Sequence, residues 1–294
     1  MEASDSNRIT RDYLDSILIE TRYLDSDAPD LSCPFFGHVL PSPLMTAALS
    51  HLDHFMYPGA MRHYAQGAAK AGVLLWLGMT TDDEASMCAD QGAPMVKIIK
   101  PYLDRDQILH RMQLAERLGF WAVGIDIDHS FDSAGRFDTV NGIPMKPLTQ
   151  EELKAFCAAT RLPLIVKGVL SRTDLQKCLQ AGAAGAVISH HNNRIGYALP
   201  PLKFLHELDA DEKNALPLFV DGCIAGGADA FKALALGAGG VCVGRPLMTA
   251  IRQNGADGMA DWFHQANDEL RKYMAFTGCR DLRHLDASVL HFTR

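Results

Sequence analysis

The sequence has no basic block. Its 28 Lys and Arg are scattered, 35 Asp and Glu outnumber them, and the net charge is -7. That balance argues against a nucleic-acid partner and for a soluble chain. No stretch approaches the ~18 consecutive apolar residues of a membrane-spanning helix. The polar start, Met1 to Arg11, lacks the apolar core of a secretion signal. Cysteine is sparse and its seven positions include no C-x-x-C pair. An odd count without paired spacing argues against a disulfide framework or a zinc site, and suits reduced thiols in the cytoplasm. Gly (24) and Pro (14) are not in excess, which excludes collagenous or low-complexity chains. With 48% hydrophobic residues, disorder is excluded as the main state.

What the sequence does have is a repeated unit. Eight short apolar runs recur: Pro43–Ala47, Val73–Leu77, Met95–Ile99, Val123–Ile127, Leu164–Val166, Ala186–Ile188, Leu218–Val220 and Val241–Val243. Most are Val, Ile and Leu without alternation, as in strands covered on both faces. Amphipathic stretches lie between them. Arg105 to Leu118 carries an apolar stripe, Thr149 and Glu152 form a capping-box pattern, Ser171 to Asp174 opens a helix that Gly182 ends, and Asp229 to Leu236 is followed by Gly237. Eight strand–helix units predict an α/β fold, a (β/α)8 TIM barrel, over a doubly wound open sheet. Length alone suggests about two domains at ~150 residues each. The repeat instead predicts one domain over 1–294. Residues 1–34 are expected to form a short N-terminal helical extension, 129–148 an irregular loop or lid, and 258–277 a final helix.

Barrel enzymes place their chemistry at the C-terminal ends of the strands. There the chain carries Lys97 and Lys100 after strand three, Asp126 and Asp128 at strand four, and Lys167-Gly168 at strand five. Strand six ends in Ser189-His190-His191-Asn192-Asn193-Arg194, strand seven in Asp221-Gly222 and strand eight in Gly244-Arg245-Pro246. The run Asp221 to Gly227 and the Gly244-Arg245 turn both open helices, which suits a phosphate cradle of backbone amides. Against it stands the plain reading that these glycines only make tight turns. His191 suits a general base, since an imidazole titrates near neutral pH. Asp128 would hold its imidazolium, and Arg194 would grip a carboxylate in bidentate fashion. His190 points to the opposite face and reads as structural; no metal site is expected. Lys167 can stabilise negative charge on a cofactor, form a Schiff base, or simply pair with an aspartate.

These residues resemble the FMN-dependent α-hydroxy acid oxidase/dehydrogenase family, the glycolate and lactate oxidase group. The carriers are Ile165-Val-Lys-Gly168, Ser189 to Arg194, Asp221-Gly-Cys-Ile224, Lys232 to Ala238 and Val243-Gly-Arg-Pro246. Ser32 to His38, Gly124 to Asp128 and Thr277-Gly-Cys279 look like a bacterial branch of it. The resemblance implies FMN as cofactor and oxidation of a small α-hydroxy acid to the 2-keto acid. It implies His191 as base, Asp128 as its partner, Arg194 and Lys100 against the anionic substrate, and Lys167 beside the flavin. Ala47, Ser189, Asp221, Gly222, Gly244 and Arg245 fall at cofactor-binding positions. A homotetramer is the family habit; the electron acceptor stays open.

The chain departs from the family pattern at several of these places. His190, Asn192 and Asn193 break the usual strand-six run, Ala225 replaces an arginine, Ile98 and Lys100 replace a Gln and a Tyr, and Asp126 replaces a threonine. These changes define the competing reading, a flavin- or phosphate-binding relative that has lost or changed the oxidase reaction. A third reading is a Schiff-base lyase using Lys167.

Overall fold

The computed structural model describes residues 5–293; Met1 to Ser4 of the expected N-terminal extension, and Arg294, lie outside the described residues. Eight parallel strands form one sheet. In chain order they are Leu44–Thr46, Leu75–Leu77, Met95–Ile99, Ala122–Asp126, Leu164–Val169, Gly185–Ile188, Leu218–Val220 and Gly240–Val243. Strands two to eight pair in sequence order, and strand eight returns to pair with strand one. The ring closes between strands one and two through Thr46 N–H to Leu74 C=O at 3.1 Å and a Leu49–Leu77 bridge. The predicted TIM barrel is therefore the observed one.

Covered faces explain the unbroken apolar runs. Inside the barrel Met45, Trp76, Ile98, Ile165 and Phe219 pack together, and a second core joins the outer faces of the strands to the helices. Gly124 is needed in strand four because a Cβ there would lie 2.5 Å from Ile98 Cδ1 and 2.7 Å from Ile165 C=O. A hairpin, Cys33–Phe35 with His38–Leu40, floors the barrel, and the Phe35 and Phe219 rings meet there at 5.6 Å. The helices start where their caps dictate: Arg105–Arg117 after Asp104, Gln150–Ala159 after the Thr149/Glu152 capping box, and Arg172–Ala181 between Ser171 and Gly182 (φ +84°). No helix among the described residues is long and apolar enough to cross a membrane. All seven cysteines are free thiols.

Three segments differ from expectation. The N-terminal extension is one helix, Ser6–Asp15, followed by a strand, Ile17–Ile19, that pairs antiparallel with Leu290–Phe292 near the other chain end. The segment 129–148 is not wholly irregular. Asn141 and Gly142, both at positive φ, turn a small hairpin of Thr139–Val140 and Ile143–Pro144, as an Asn-Gly pair favours. The expected final helix is present and ends at Phe276, but it follows directly on the helix that opens at Arg245; the two meet at Asn254-Gly255, where the backbone leaves the helical region.

Candidate active site

The strand ends converge on His191. Its backbone sits at φ +48°, with Asn192 and Asn193 also positive, so the chain after strand six turns sharply rather than continuing. The His191 N–H donates to Ser189 Oγ at 3.0 Å, which fixes the turn. His191 Nδ1 then meets Asp128 Oδ1 at 2.7 Å. Gly168 makes room for that carboxylate: it adopts φ +93°, and a Cβ would lie 2.5 Å from Asp128 Oδ2. The sequence thus brings strands four, five and six together through one imidazole.

A charged network surrounds it. Lys100 Nζ donates to Asp126 Oδ2 at 2.6 Å, and Asp126 Oδ1 lies 3.4 Å from His191 Nδ1. Lys167 Nζ sits 3.4 Å from His191 Nδ1, 3.8 Å from Asp126 and 3.7 Å from Asp221. Burial works against ionisation of Asp126, but Lys100, His191 and Lys167 outweigh it and hold the carboxyl well below its usual range. Asp128 moves up, first through burial and then through the charge of Asp126. Burial and Lys167 disfavour a cationic His191, yet Asp126 and Asp128 overcome both and raise its pKa. Burial likewise opposes a charged Lys167, and Asp126, Asp221 and Asp128 reverse that, so it stays an ammonium. A lysine held charged is a poor Schiff-base nucleophile. Asp126, Asp128, His129 and His191 bring ligand atoms within 4.8 Å of one another, but Asp126 is already paired with the Lys100 and Lys167 ammoniums and Asp128 with His191.

His129 escaped the sequence reading. Its Nε2 lies 3.3 Å from His191 Nε2, and its Nδ1 lies 3.3 Å from Asp138. Burial, then Lys100 and His191, pull its pKa down to about 3, so it is neutral. With Nδ1–H donating to Asp138, its Nε2 is an acceptor facing His191. The only sequence signal was its place next to Asp128. Arg194 is held on the same loop, donating to Asp138 and to the Phe131 carbonyl.

Next to this centre opens a cavity of about 780 Å³ lined by strand ends one, five, six, seven and eight. Ala47, Lys167, His191, Asp221, Gly222, Gly244 and Arg245 are on its wall. Ser189, Asp128, Lys100 and Arg194 are not. Lys100 in particular is buried and spent on Asp126, so its expected place against a substrate is corrected to a place behind that carboxylate. The cradle is also smaller than the sequence suggested. The Gly227 amide donates to Glu269 at 2.6 Å and the Ala225 amide to Asp229 at 2.9 Å. A Cβ on Gly227 would lie 2.3 Å from the Ala266 carbonyl oxygen, so this glycine serves helix packing. His190 is structural, as expected: its Nε2 meets Thr10 Oγ1 at 2.9 Å, away from His191.

The donor set fits FMN. A buried ammonium stands at one end for a ring that gains negative charge. Gly222 and Gly244 leave the wall bare, and the Arg245 guanidinium stands on the same wall in the first turn of a helix.

Comparisons agree with that fit. A profile of the FMN-dependent dehydrogenase family matches residues 1–150 and 145–292. Glycolate oxidase 3 of Arabidopsis thaliana is 27% identical over 94% of this chain and 84% of its own length. Glycolate oxidase of Spinacia oleracea is 27% identical over 95% and 85%. Mandelate oxidase with (S)-2-phenylpropionate superposes with a TM-score of 0.87 at 27% identity, covering 98% of this chain and 91% of that one. A mandelate oxidase variant holding a monooxide FMN adduct gives 0.86 at 28% identity, over 98% and 92%. The chain belongs to the FMN-dependent dehydrogenase family.

Proposed function

We propose that this protein oxidises a small α-hydroxy acid to the 2-keto acid, using FMN, as one unit over residues 1–294. The observation that carries this reading is the His191–Asp128 pair beside Lys167 on the wall of the cavity. The assembled base favours catalysis over a binding-only relative. FMN, when bound, supplies the acceptor for the electron pair leaving the substrate's α-carbon. His191 Nε2 takes the hydroxyl proton, while Asp128 on Nδ1 steadies the imidazolium that results. In the protonated ring, His191 Nε2–H donates to His129 Nε2, which keeps the ring aimed and makes His129 a positioning residue; loss of that proton and contact frees Nε2 to act as the base. Lys167 offsets charge developing at its end of the cavity. Arg194 binds the substrate carboxylate after exchanging its Asp138 contact for it. Ala47, Ser189, Asp221, Gly222, Gly244 and Arg245 serve the cofactor, Ser189 through the His191 turn.

A cytoplasmic setting is consistent with seven free thiols. A homotetramer is proposed from family habit. The test is optical. The purified protein with FMN, under anaerobic conditions, is mixed with a panel of 2-hydroxy acids. Bleaching of the visible flavin band by at least one is expected. A protein that takes up no FMN, or a bound flavin that none of them bleaches, defeats the proposal.

A further inference from the structure

The N-terminal helix Ser6–Asp15 is stitched to the strand-six and strand-seven turns at every face it offers them. Ser6 N–H donates to Asn193 Oδ1 at 2.8 Å and Ser6 Oγ donates to the Ile195 carbonyl at 2.6 Å. Asn7 Nδ2 donates to Asn192 Oδ1 at 3.1 Å, and Thr10 meets His190. Arg11 donates to the Cys223 carbonyl at 3.1 Å and pairs with Asp229 at 2.7 Å. The partners include the residues by which the strand-six run departs from the family pattern: His190, Asn192 and Asn193. Those changes build a seat for this helix.

The helix also forms part of the cavity wall, through Asn7, Arg8 and Arg11. Four cationic side chains line the cavity: Arg8, Arg11, Lys167 and Arg245. Lys167 is committed to the carboxylates around His191, and Arg11 to Asp229 and Asp15. Arg245 Nη2 reaches Asn7 Oδ1 at 3.3 Å, which joins it to the helix. Ala225, on the same stretch of wall, offers no charge. Among the described residues Arg8 pairs with Asp12 at 3.2 Å, in an exposed pair that contributes little and exchanges easily. A phosphate monoester carries close to two negative charges at neutral pH. Arg245 alone matches half of that.

We propose that the N-terminal helix completes the phosphate end of the cofactor cavity, with Arg8 as the second guanidinium on the phosphate and Asn7 positioning Arg245. This rests on the FMN reading above. The ligand group is a phosphate monoester dianion, and Arg8 meets it in the bidentate geometry that a guanidinium offers.

The experiment compares two flavins that differ only in that phosphate. Apoprotein is titrated with FMN and, separately, with riboflavin, following quenching of flavin fluorescence. Arg8→Ala is expected to weaken FMN binding on the order of 10-fold and to leave riboflavin binding unchanged. Arg8→Lys should recover part of the loss, and added salt should shrink the difference. Asn7→Ala should show the same selectivity for FMN with a smaller loss. Unchanged FMN affinity in Arg8→Ala overturns the proposal, and so does an equal loss for both flavins, which would mark the helix as scaffold only. If the parent chain binds neither flavin, the cofactor reading falls first, and this proposal with it.

Discussion

The two ends of the cavity are built on opposite plans. At the His191 end the charges are buried or half-buried and already paired inside the protein: Lys100 with Asp126, Lys167 with Asp126 and Asp221, and His191 with Asp128. At the Arg245 end Arg8 and Arg245 are exposed, and Arg245 has an amide oxygen and a thiol as partners rather than a carboxylate. The first plan keeps the positions of reacting groups independent of any ligand, because breaking one buried pair strands its partner. The second leaves cations free for an anion that comes and goes. Preorganisation belongs where bonds change, and adaptability where a cofactor is gripped.

The largest expected effect lies in the paired end. Lys167→Met removes the cation between two aspartates, and a loss of ~3–5 kcal/mol in unfolding stability is expected, together with loss of bound FMN. Thermal melts with and without FMN measure it, and an unchanged melting temperature would show that the network is not coupled. Next in size is Asp128→Asn. The flavin should still bind, but its reduction by substrate should slow by ~10²-fold. The pH profile sharpens this. The raised pKa of His191 means that its neutral, proton-accepting form grows in only above its ordinary 6.5. Reduction should therefore rise with pH on a limb centred above 6.5, and in Asp128→Asn that limb should move down. Stability carries the opposite sign: the part due to a protonated His191 is complete below 6.5 and fades as pH climbs through the folded value. The smallest effect is expected at Arg194→Ala, where KM should rise ~10-fold with kcat nearly held, because the arginine binds the substrate carboxylate in ground and transition state alike. A fall in kcat with KM unchanged would assign Arg194 to the loop instead.

Much of the paired end was legible in the sequence. Apolar runs mark buried parallel strands, so the residues after each run, Lys167, His191 and Asp221, fall at one end of the barrel by topology alone. The cross-strand pairing was harder to see. Lys100 looks like a free strand-end cation until strand four sets Asp126 against it. His129 follows Asp128 by one residue, yet only the folded loop turns it back towards His191. The Arg245 end was the least legible. Gly226 and Gly227 have the composition of a phosphate cradle, but close approach of the last helix uses them up, a fact that depends on Ala266 and Glu269. The N-terminal helix reaches the site across nearly two hundred residues, and no local pattern announces such contacts. Its only trace was negative: polar residues at 190, 192 and 193 where the family run is otherwise composed.

The most direct test is a single anaerobic turnover, with the parent and His191→Ala both loaded with FMN and mixed with the hydroxy acid that bleaches the parent fastest. Bleaching should slow by ~10²–10⁴-fold in His191→Ala while the flavin spectrum before mixing stays that of the parent. Equal bleaching rates in the two proteins would contradict the account, because it assigns the proton to His191.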